Sequence, residues 1–308
     1  MNEIAQKIQE GMRRLSFKAK TVSIIHLPEL QEAVGRLVRQ GLLNKRLYQD
    51  WHFYLDSNKE LPEAETIVIV AMPHPMARIR FEYEGSVYPA DIPPDYFFSI
   101  ANESRAEAVL NDILGTAGYK VAKAHLPLKT LAVRSELAEY GRNNIAYVSE
   151  MGSLCTLTAF YTDWVCEEDS WREAKAMKAC QDCSLCRQNC PTGSISAERF
   201  LIRAENCLGF LQEKEPNHPY WVQLQPDCPN ALMGCMRCQS VCPVDKPYLG
   251  EIVEGPTLSE EETGLLLNKT PWEGLSQETR NKLTIPGVLY SRMVLNLRAR
   301  IEKQSKQE

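Results

Sequence analysis

The cysteines of this chain carry its strongest chemical signal. Eight of the eleven fall into two spaced runs and one isolated position. These are the runs Cys180-x-x-Cys183-x-x-Cys186-x-x-x-Cys190-Pro191 and Cys235-x-x-Cys238-x-x-x-Cys242-Pro243, with Cys207 between them. Thiolates are the ligands of [4Fe–4S] clusters, and the first spacing is typical of proteins that hold two clusters. The sequence therefore predicts two [4Fe–4S] clusters and electron-transfer chemistry.

A rule for two-cluster ferredoxins divides the eight cysteines between the clusters. In those proteins the last cysteine of a run ligates the other cluster. One cluster is then assigned to Cys180, Cys183, Cys186 and Cys242. The other is assigned to Cys190, Cys207, Cys235 and Cys238. Gly193 and Gly234 are expected to allow tight backbone turns beside the clusters.

Other uses of these thiols remain open at this stage. Two structural zinc sites would use a similar C-x2-4-C spacing, although the x3-C-P ending of both runs favours iron. Disulfides are less favoured because the chain shows no secretory signal and is too large to need covalent staples. Cys228 is an alternative to Cys207 as a ligand. Cys155 and Cys166 lie among apolar residues and are predicted to be small buried packing residues.

Length and composition restrict the function classes. The chain has 308 residues, a net charge of −5, 44% apolar residues and 24% charged residues, which suits two domains of ordinary globular composition. We find no apolar run of about 18 residues, so we expect no membrane span. The negative charge argues against a general nucleic-acid surface, because phosphate binding needs clustered Lys and Arg. We therefore expect a cytoplasmic protein for which nucleic acid is not a partner.

Apolar periodicity, the cysteine runs and helix-start signals together predict three ranges along the chain: an α/β domain over 1–172, a cluster module over 173–250 and a helical tail over 251–308. The predicted elements of the first range are helices over 4–15, after Pro28 and over 106–114, a strand over 21–25 and a buried central strand over 66–72. Residues 73–98 are rich in proline and aromatic residues, and we expect an irregular loop there that shapes a pocket.

Two further helical signals lie in the second half of the chain. A helical stretch over 196–203 is expected to bring Cys207 back towards the clusters. Ser259-x-x-Glu262 forms a capping box, and Ser276 marks a second helix start. The end of the tail is basic, and we expect a solvated amphipathic helix that docks through Val294 and its apolar neighbours.

The stretch from Leu131 to Asn144 carries a family resemblance. It includes Gly141-Arg142-Asn143-Asn144 and is followed by Gly152-Ser153 and Thr162-Asp163. This resembles the G-(K/R)-N…G-S…T-D stretch of epoxyqueuosine reductases, which are cobalamin-dependent enzymes with two [4Fe–4S] clusters, related to reductive dehalogenases. The cysteine runs and Cys207 match the same family. The resemblance covers roughly residues 20–250.

The resemblance implies a fold, cofactors and binding residues. The implied fold is α+β: an α/β sandwich corrinoid-binding domain, a bacterial-ferredoxin-like two-[4Fe–4S] module and a short helical tail. The implied cofactors are two [4Fe–4S] clusters and cobalamin, with no histidine lower ligand because no D-x-H-x-x-G segment is present. Gly141 is expected to let the backbone approach the corrin ring, although a simple turn also explains this stretch. The implied cofactor-binding residues are Arg134, Gly141, Arg142, Asn143, Asn144 and Ser153.

The chain also departs from that family. An aspartate of the family, its proposed proton donor, has no counterpart in Ala122–Pro127, so His125 and Tyr140 become the candidate catalytic residues. Further candidates are Tyr96, Tyr147 and Glu139. Only 66 residues (308 − 242) follow Cys242, where the family has tRNA-binding helical repeats.

These departures favour a reductase of a small-molecule substrate, supplied by an external electron donor such as ferredoxin or flavodoxin. Two alternatives remain. The chain is an electron-transfer partner of another corrinoid or flavin protein, without substrate chemistry of its own, or it is a shortened tRNA epoxyqueuosine reductase.

Overall fold

The chain forms two compact units. The computed structural model describes residues 3–44, 59–93, 99–214, 216, 232–283, 285 and 287–305. Unit 1 comprises Met1–Pro73 and Ile100–Ser184, and unit 2 comprises His74–Ser99 and Leu185–Glu308, as far as these residues are described. This grouping differs from the three consecutive ranges that the sequence suggested, because residues 74–99 pack with the second half of the chain.

The strands and helices are numbered along the chain. The strands are β1 (Lys18–Ser23), β2 (Thr66–Pro73), β3 (Met76–Tyr83), β4 (Ser86–Ile92), β5 (Val121–Lys123), β6 (Ala138–Tyr140), β7 (Ala146–Val148), β8 (Cys155–Thr162) and β9 (Ile252–Leu258). The helices are α1 (Glu3–Arg14), α2 (Leu27–Arg39), α3 (Ser99–Leu110), α4 (Leu128–Arg134), α5 (Leu185–Gln188), α6 (Leu208–Leu211), α7 (Arg237–Ser240), α8 (Glu260–Leu267), α9 (Gln277–Leu283) and α10 (Tyr290–Gln304).

Unit 1 is built on an antiparallel sheet with the strand order β1-β2-β8-β5. The expected central strand is confirmed as β2, whose β-branched residues alternate between two buried faces. Ile67 and Ile69 pack on one side with residues of α2 and α4, while Val68 and Val70 pack on the other with α1 and α3. Helices therefore cover both faces of this sheet, as in an α/β sandwich.

A second, smaller element of unit 1 is the hairpin of β6 and β7. Its strands pair in antiparallel register from Ala138↔Val148 to Tyr140↔Ala146. Four buried residues of the two strands, Ala138, Tyr140, Ala146 and Val148, belong to the same core as Leu131 of α4. The hairpin thus lies on the α4 side of the sheet, and the loop at its tip is the resemblance stretch Gly141–Asn144.

Unit 2 contains a three-stranded sheet with the order β4-β3-β9. β3 and β4 form an antiparallel hairpin, and β9 pairs with β3 in parallel. Ala77, Ile79 and Phe81 alternate along β3 and join a core that also contains residues of α8, α9 and α10. The irregular loop expected over 73–98 is therefore wrong for 76–92, which form β3 and β4.

The segment between the cysteine runs is less helical than expected. Residues 196–203 form bends rather than a helix, so that prediction is wrong. The Arg199 side chain donates to the carbonyl oxygens of Leu201 (2.6 Å) and Ile202 (3.0 Å), and the backbone N–H of Arg203 donates to Ser194 (2.9 Å). These bonds satisfy carbonyls that a helix would have paired within itself.

The helical tail agrees with its sequence signals. Ser259 caps α8 in a capping box with Glu262, as predicted, and α9 begins just after Ser276. Val294 and Leu297 of α10 are buried in the core of unit 2. Within the part of the chain that the structure describes, we find no helix with the length and apolar character needed to cross a membrane.

Candidate iron–sulfur centre

Cys190 lies in a nest of hydrogen-bond donors. Its thiol faces the backbone N–H groups of Ile195, Thr192 and Ser194, and the Thr192 hydroxyl lies 3.7 Å from its Sγ. Burial raises the pKa of this thiol, but the four donors outweigh burial and lower it. Gly193, with a φ of +64°, allows the turn that gathers these N–H groups, as expected. The site therefore favours the thiolate, which is the form that binds iron.

Cys207 and Cys235 converge on the same place in unit 2. Burial raises the pKa of Cys207, the N–H groups of Phe210 and Gly209 oppose this, and the nearby Cys190 thiolate raises it further. A side-chain carbon placed on Gly209 would lie 3.9 Å from Cys207 Sγ and 3.6 Å from the backbone nitrogen of Cys235. Three of the four cysteines assigned to one cluster are therefore neighbours.

The second cysteine run is shaped by two left-handed residues. Gly234 has a φ of +66° and Met236 a φ of +50°, and α7 follows immediately with Cys238 inside it. α7 packs against α5, which carries Cys186. Two helices of one turn each, one from each run, are thus in contact within unit 2, as an exchange of ligands between the runs requires.

Cys180 is attached to the hairpin tip of unit 1. The backbone N–H of Arg142 donates to Cys180 Sγ at 3.4 Å, and Arg142 Nη2 donates to the carbonyl oxygens of Cys180 (2.5 Å) and Gln181 (3.1 Å). Tyr140 also bonds the incoming segment, since its N–H donates to Lys175 (3.0 Å) and its carbonyl accepts from Met177 (2.8 Å). The resemblance stretch and the first cysteine run are therefore joined directly.

The hairpin tip is a turn with a regular geometry. Asn144 N–H donates to the Gly141 carbonyl at 2.9 Å, and Gly141 N–H donates to Ile145 at 2.8 Å. Asn144 alone of the loop residues 142–144 has a positive φ, +61°. This is a type I turn followed by a left-handed residue, a common three-residue hairpin loop. The simple turn that the sequence left open is therefore part of the explanation of this stretch.

Gly141 has a reason to be glycine inside the protein itself. A side-chain carbon there would collide with the ring of Tyr147 and would lie 2.5 Å from Asn143 Oδ1. Asn143 is buried, donates to Tyr147 Oη at 3.0 Å and accepts from the N–H of Ile145 at 3.3 Å. The glycine thus makes room for Tyr147. The close approach of a corrin ring at Gly141 stays a prediction.

The other residues implied for cofactor binding differ in the contacts that their side chains and backbone make within the protein. Arg134 is 8% exposed and forms an ion pair with Glu29, and its guanidinium lies 4.7 Å from the ring of Trp171. These contacts give Arg134 a structural role. Ser153 and Asn144 are buried, and the Asn144 carbonyl accepts a bond from Lys129 Nζ at 3.1 Å.

The candidate proton donors lie in contrasting environments. Tyr140 is buried, and its hydroxyl lies 3.0 Å from Thr130 Oγ1. Burial raises the pKa of Tyr140, while the Thr130 contact opposes it, so the phenol stays protonated at neutral pH. His125 and Glu139 are exposed, and Tyr147 is buried. Tyr96 and Cys228 lie outside the described residues.

His74 is a buried histidine that the sequence reasoning missed. It is 3% exposed, and neither ring nitrogen has a hydrogen-bond partner among the described residues. Burial lowers its pKa to about 4. The available signal was its position between β2 and β3, in Pro73-His74-Pro75, but no motif marked it.

The donor set suits clusters. Among the described residues, no three His, Cys, Asp or Glu side chains are grouped closely enough to hold one metal ion. A four-iron cluster is itself several atoms wide, so its thiolates need not converge on a point. The N–H groups around Cys190 and Cys207 match the hydrogen bonds that cluster sulfurs accept.

Comparison with known proteins assigns the cysteine segment to a family. Residues 179–245 match the family model of the 4Fe-4S double cluster binding domain. The chain is 26% identical over 198 residues to the epoxyqueuosine reductase of Bacillus subtilis, an alignment of 60% of this chain and 49% of that protein. The Escherichia coli enzyme is 25% identical over 260 residues, with 79% of this chain and 65% of that enzyme aligned. The chain thus spans about half to two thirds of the length of these curated relatives.

The fold comparison covers nearly all of the chain. The structure of epoxyqueuosine reductase from Streptococcus thermophilus matches with a TM-score of 0.65 and 17% identity, over 96% of this chain and 81% of that one. An epoxyqueuosine reductase with an epoxyqueuosine-modified tRNA-Tyr stem loop matches with a TM-score of 0.61 and 16% identity, over 96% of this chain and 82% of that one. Our expectation that nucleic acid is not a partner therefore finds no support. The chain carries a 4Fe-4S double cluster binding domain, and its fold is similar to that of epoxyqueuosine reductases.

Proposed function

We propose that this chain is a cobalamin- and iron–sulfur-dependent reductase, which passes low-potential electrons from two [4Fe–4S] clusters to a corrinoid and thereby reduces a small-molecule substrate. The observation that carries the proposal is the bond between the hairpin tip and Cys180, because it joins the proposed cofactor stretch to the first cluster run. Cysteine-ligated clusters reach reduction potentials of about −700 mV, low enough for such a task.

The ligand assignment of the clusters follows the cysteine runs. One cluster takes Cys180, Cys183, Cys186 and Cys242, and the other takes Cys190, Cys207, Cys235 and Cys238. The closeness of Cys190, Cys207 and Cys235 supports the second set. We place the protein in the cytoplasm, because cluster assembly needs thiols that stay reduced. The electrons come from an external donor of the ferredoxin or flavodoxin type.

The corrinoid is assigned to unit 1, at the hairpin tip. When bound, it supplies a strongly reducing cobalt centre, which we propose has no protein histidine as lower ligand. Asn144 gives the loop its left-handed residue, Arg142 joins the loop to the Cys180 segment, and Ser153 lies in the following turn. Tyr140 is favoured over His125 as the proton source, because Tyr140 ends β6 and directly precedes the hairpin tip.

A second candidate function is the reduction of epoxyqueuosine in tRNA. The specific observation in its favour is that the curated relatives are epoxyqueuosine reductases and that one similar structure contains a modified tRNA stem loop.

The visible spectrum of the anaerobically purified holoprotein tests the proposal. We expect a corrinoid band in addition to broad iron–sulfur absorption. Iron–sulfur absorption alone, with no uptake of added cobalamin, would instead support an electron-transfer partner. Conversion of an epoxyqueuosine-modified stem loop to queuosine by the reduced protein, followed by mass spectrometry, separates the tRNA function from the small-molecule function.

A further inference from the structure

One backbone N–H group at the hairpin tip of unit 1 donates outside the hairpin, to a sulfur atom. The N–H of Asn144 closes the turn by donating to the Gly141 carbonyl, and the N–H of Gly141 donates to the Ile145 carbonyl. The N–H of Ile145 donates to the Asn143 side chain. The N–H of Arg142, at the second position of the turn, donates instead to Cys180 Sγ at 3.4 Å.

The position of Cys180 under this N–H group is fixed from two sides. The Arg142 guanidinium holds the carbonyls of Cys180 and Gln181. Tyr140 holds the segment just before Cys180 through its bonds to Lys175 and Met177. The sulfur is therefore kept against the loop by contacts that do not themselves involve the sulfur.

A hydrogen bond to a cluster thiolate affects the two redox states unequally. One electron from the external donor reduces a cluster, and no covalent bond forms or breaks. The reduced cluster carries one more negative charge, so a donor N–H stabilises it more than the oxidised cluster and raises the reduction potential.

We propose that the backbone N–H of Arg142 sets the reduction potential of the cluster bound by Cys180, and that the Arg142 guanidinium positions Cys180 to accept this bond. The inference rests on the clusters of the proposed function. It gives the Gly141–Asn144 turn a task at the cluster that is independent of any contact with a corrinoid. Arg142 is accordingly a positioning residue.

The turn itself offers a matched pair of variants. Arg142→Ala removes the guanidinium and keeps the N–H, whereas Arg142→Pro removes both. Proline is favoured at the second position of a type I turn, and a preceding glycine tolerates it. The difference between the two variants therefore isolates the N–H group.

A redox titration followed by electron paramagnetic resonance measures the effect, with the second cluster as internal reference. We expect the reduction potential of the cluster bound by Cys180 to be about 30–60 mV more negative in Arg142→Pro than in Arg142→Ala. This corresponds to a three- to tenfold change in the one-electron equilibrium constant of that cluster. Equal potentials in the two variants, with both clusters present, overturn the inference. Absence of clusters from the unsubstituted protein overturns the proposed function instead.

A second measurement applies if Arg142→Pro does not assemble its cluster. Protein labelled with ¹⁵N-arginine is reduced, and the hyperfine coupling of ¹⁵N to the cluster is recorded. We expect a ¹⁵N coupling in the unsubstituted protein. It should disappear in Arg142→Lys produced with ¹⁵N-arginine and unlabelled lysine, because this variant retains the backbone N–H but carries no ¹⁵N at that position. A spectrum that is the same with and without Arg142→Lys contradicts the bond.

Discussion

Backbone N–H groups distinguish two neighbouring cysteines of unit 2. The pKa of Cys190 is lowered by its ring of donors, and that of Cys207 is raised by burial. The site of Cys190 therefore favours the thiolate more than the site of Cys207 does. Cluster assembly at Cys207 is therefore expected to be the step that is more sensitive to pH.

Replacing Cys207 should damage one cluster only. Cys207→Ser removes a ligand from the cluster assigned to Cys190, Cys235 and Cys238, so anaerobic iron analysis should find about half of the iron lost. Cys228→Ser is the matched control and should retain the full content. Loss of iron from Cys228→Ser but not from Cys207→Ser would show that the ligand assignment is wrong.

His74 should make stability depend on pH. Its folded pKa of about 4 lies below the ordinary 6.5, so the unfolded chain binds more protons between these values. Stability is therefore present above pH 6.5 and is lost as the pH falls towards 4. Between pH 7.5 and 5.5 this group should lower the free energy of unfolding by about 1 kcal/mol.

Urea unfolding at the two pH values measures this dependence. Between the two pH values, His74→Leu should lose less of its free energy of unfolding than the unsubstituted protein does. Met76→Leu, a volume-conserving change at a buried neighbour, should lose as much as the unsubstituted protein. An unchanged slope in His74→Leu would contradict a buried neutral histidine.

At the scale of elements, the β6–β7 hairpin depends on the absence of a side chain at Gly141. Gly141→Ala forces a carbon against Tyr147 and Asn143. Overpacking of this kind costs about 1–3 kcal/mol, and the cost should appear as a lower denaturation midpoint even without cofactor. Gly115→Ala, in the same unit and with no atom near the added carbon, is the control and should not destabilise. Equal midpoints for the two variants would contradict the packing.

The N-terminus of α8 offers a prediction in unit 2. Ser259→Ala removes the bond to Glu262 N–H (3.3 Å) and should cost about 1 kcal/mol of stability. Ser259→Asp retains an acceptor at the cap and should stay close to the unsubstituted protein. Thermal unfolding monitored by circular dichroism compares the three proteins, and a drop in Ser259→Asp equal to that in Ser259→Ala would refute the capping role.

Elements with a strong local pattern were predictable, and those made by distant pairing were not. The β-branched run of β2 and the capping box of α8 each specify their structure within a few residues. β3 alternates apolar and charged residues, a signal that the prolines around it obscured. β9 contains Gly255 and Pro256 and becomes a strand only by pairing with β3, far away in sequence.

Some features of the candidate site were also predictable from local sequence, and others were not. Cysteine spacing predicted the cluster residues, because thiolate ligation requires fixed separations along the chain. The bond from Arg142 to Cys180 and the isolation of His74 depend on which segments the fold brings together. The helix expected over 196–203 failed for a related reason, since side-chain bonds from Arg199 replace helical ones there.

The proposed reductase needs two kinds of cofactor in one chain. The double cluster domain supplies electrons, and an α/β unit larger than an electron carrier needs leaves room for a partner cofactor. The proposal fails as a whole if either kind is missing.

Metal analysis of the anaerobically reconstituted protein, supplied with iron, sulfide and cobalamin and freed of unbound metal, tests this most directly. We expect about eight iron atoms and about one cobalt atom per chain, with no stoichiometric zinc. Zinc without iron would contradict the clusters. About eight irons with no retained cobalt would contradict the reductase and leave an electron-transfer protein.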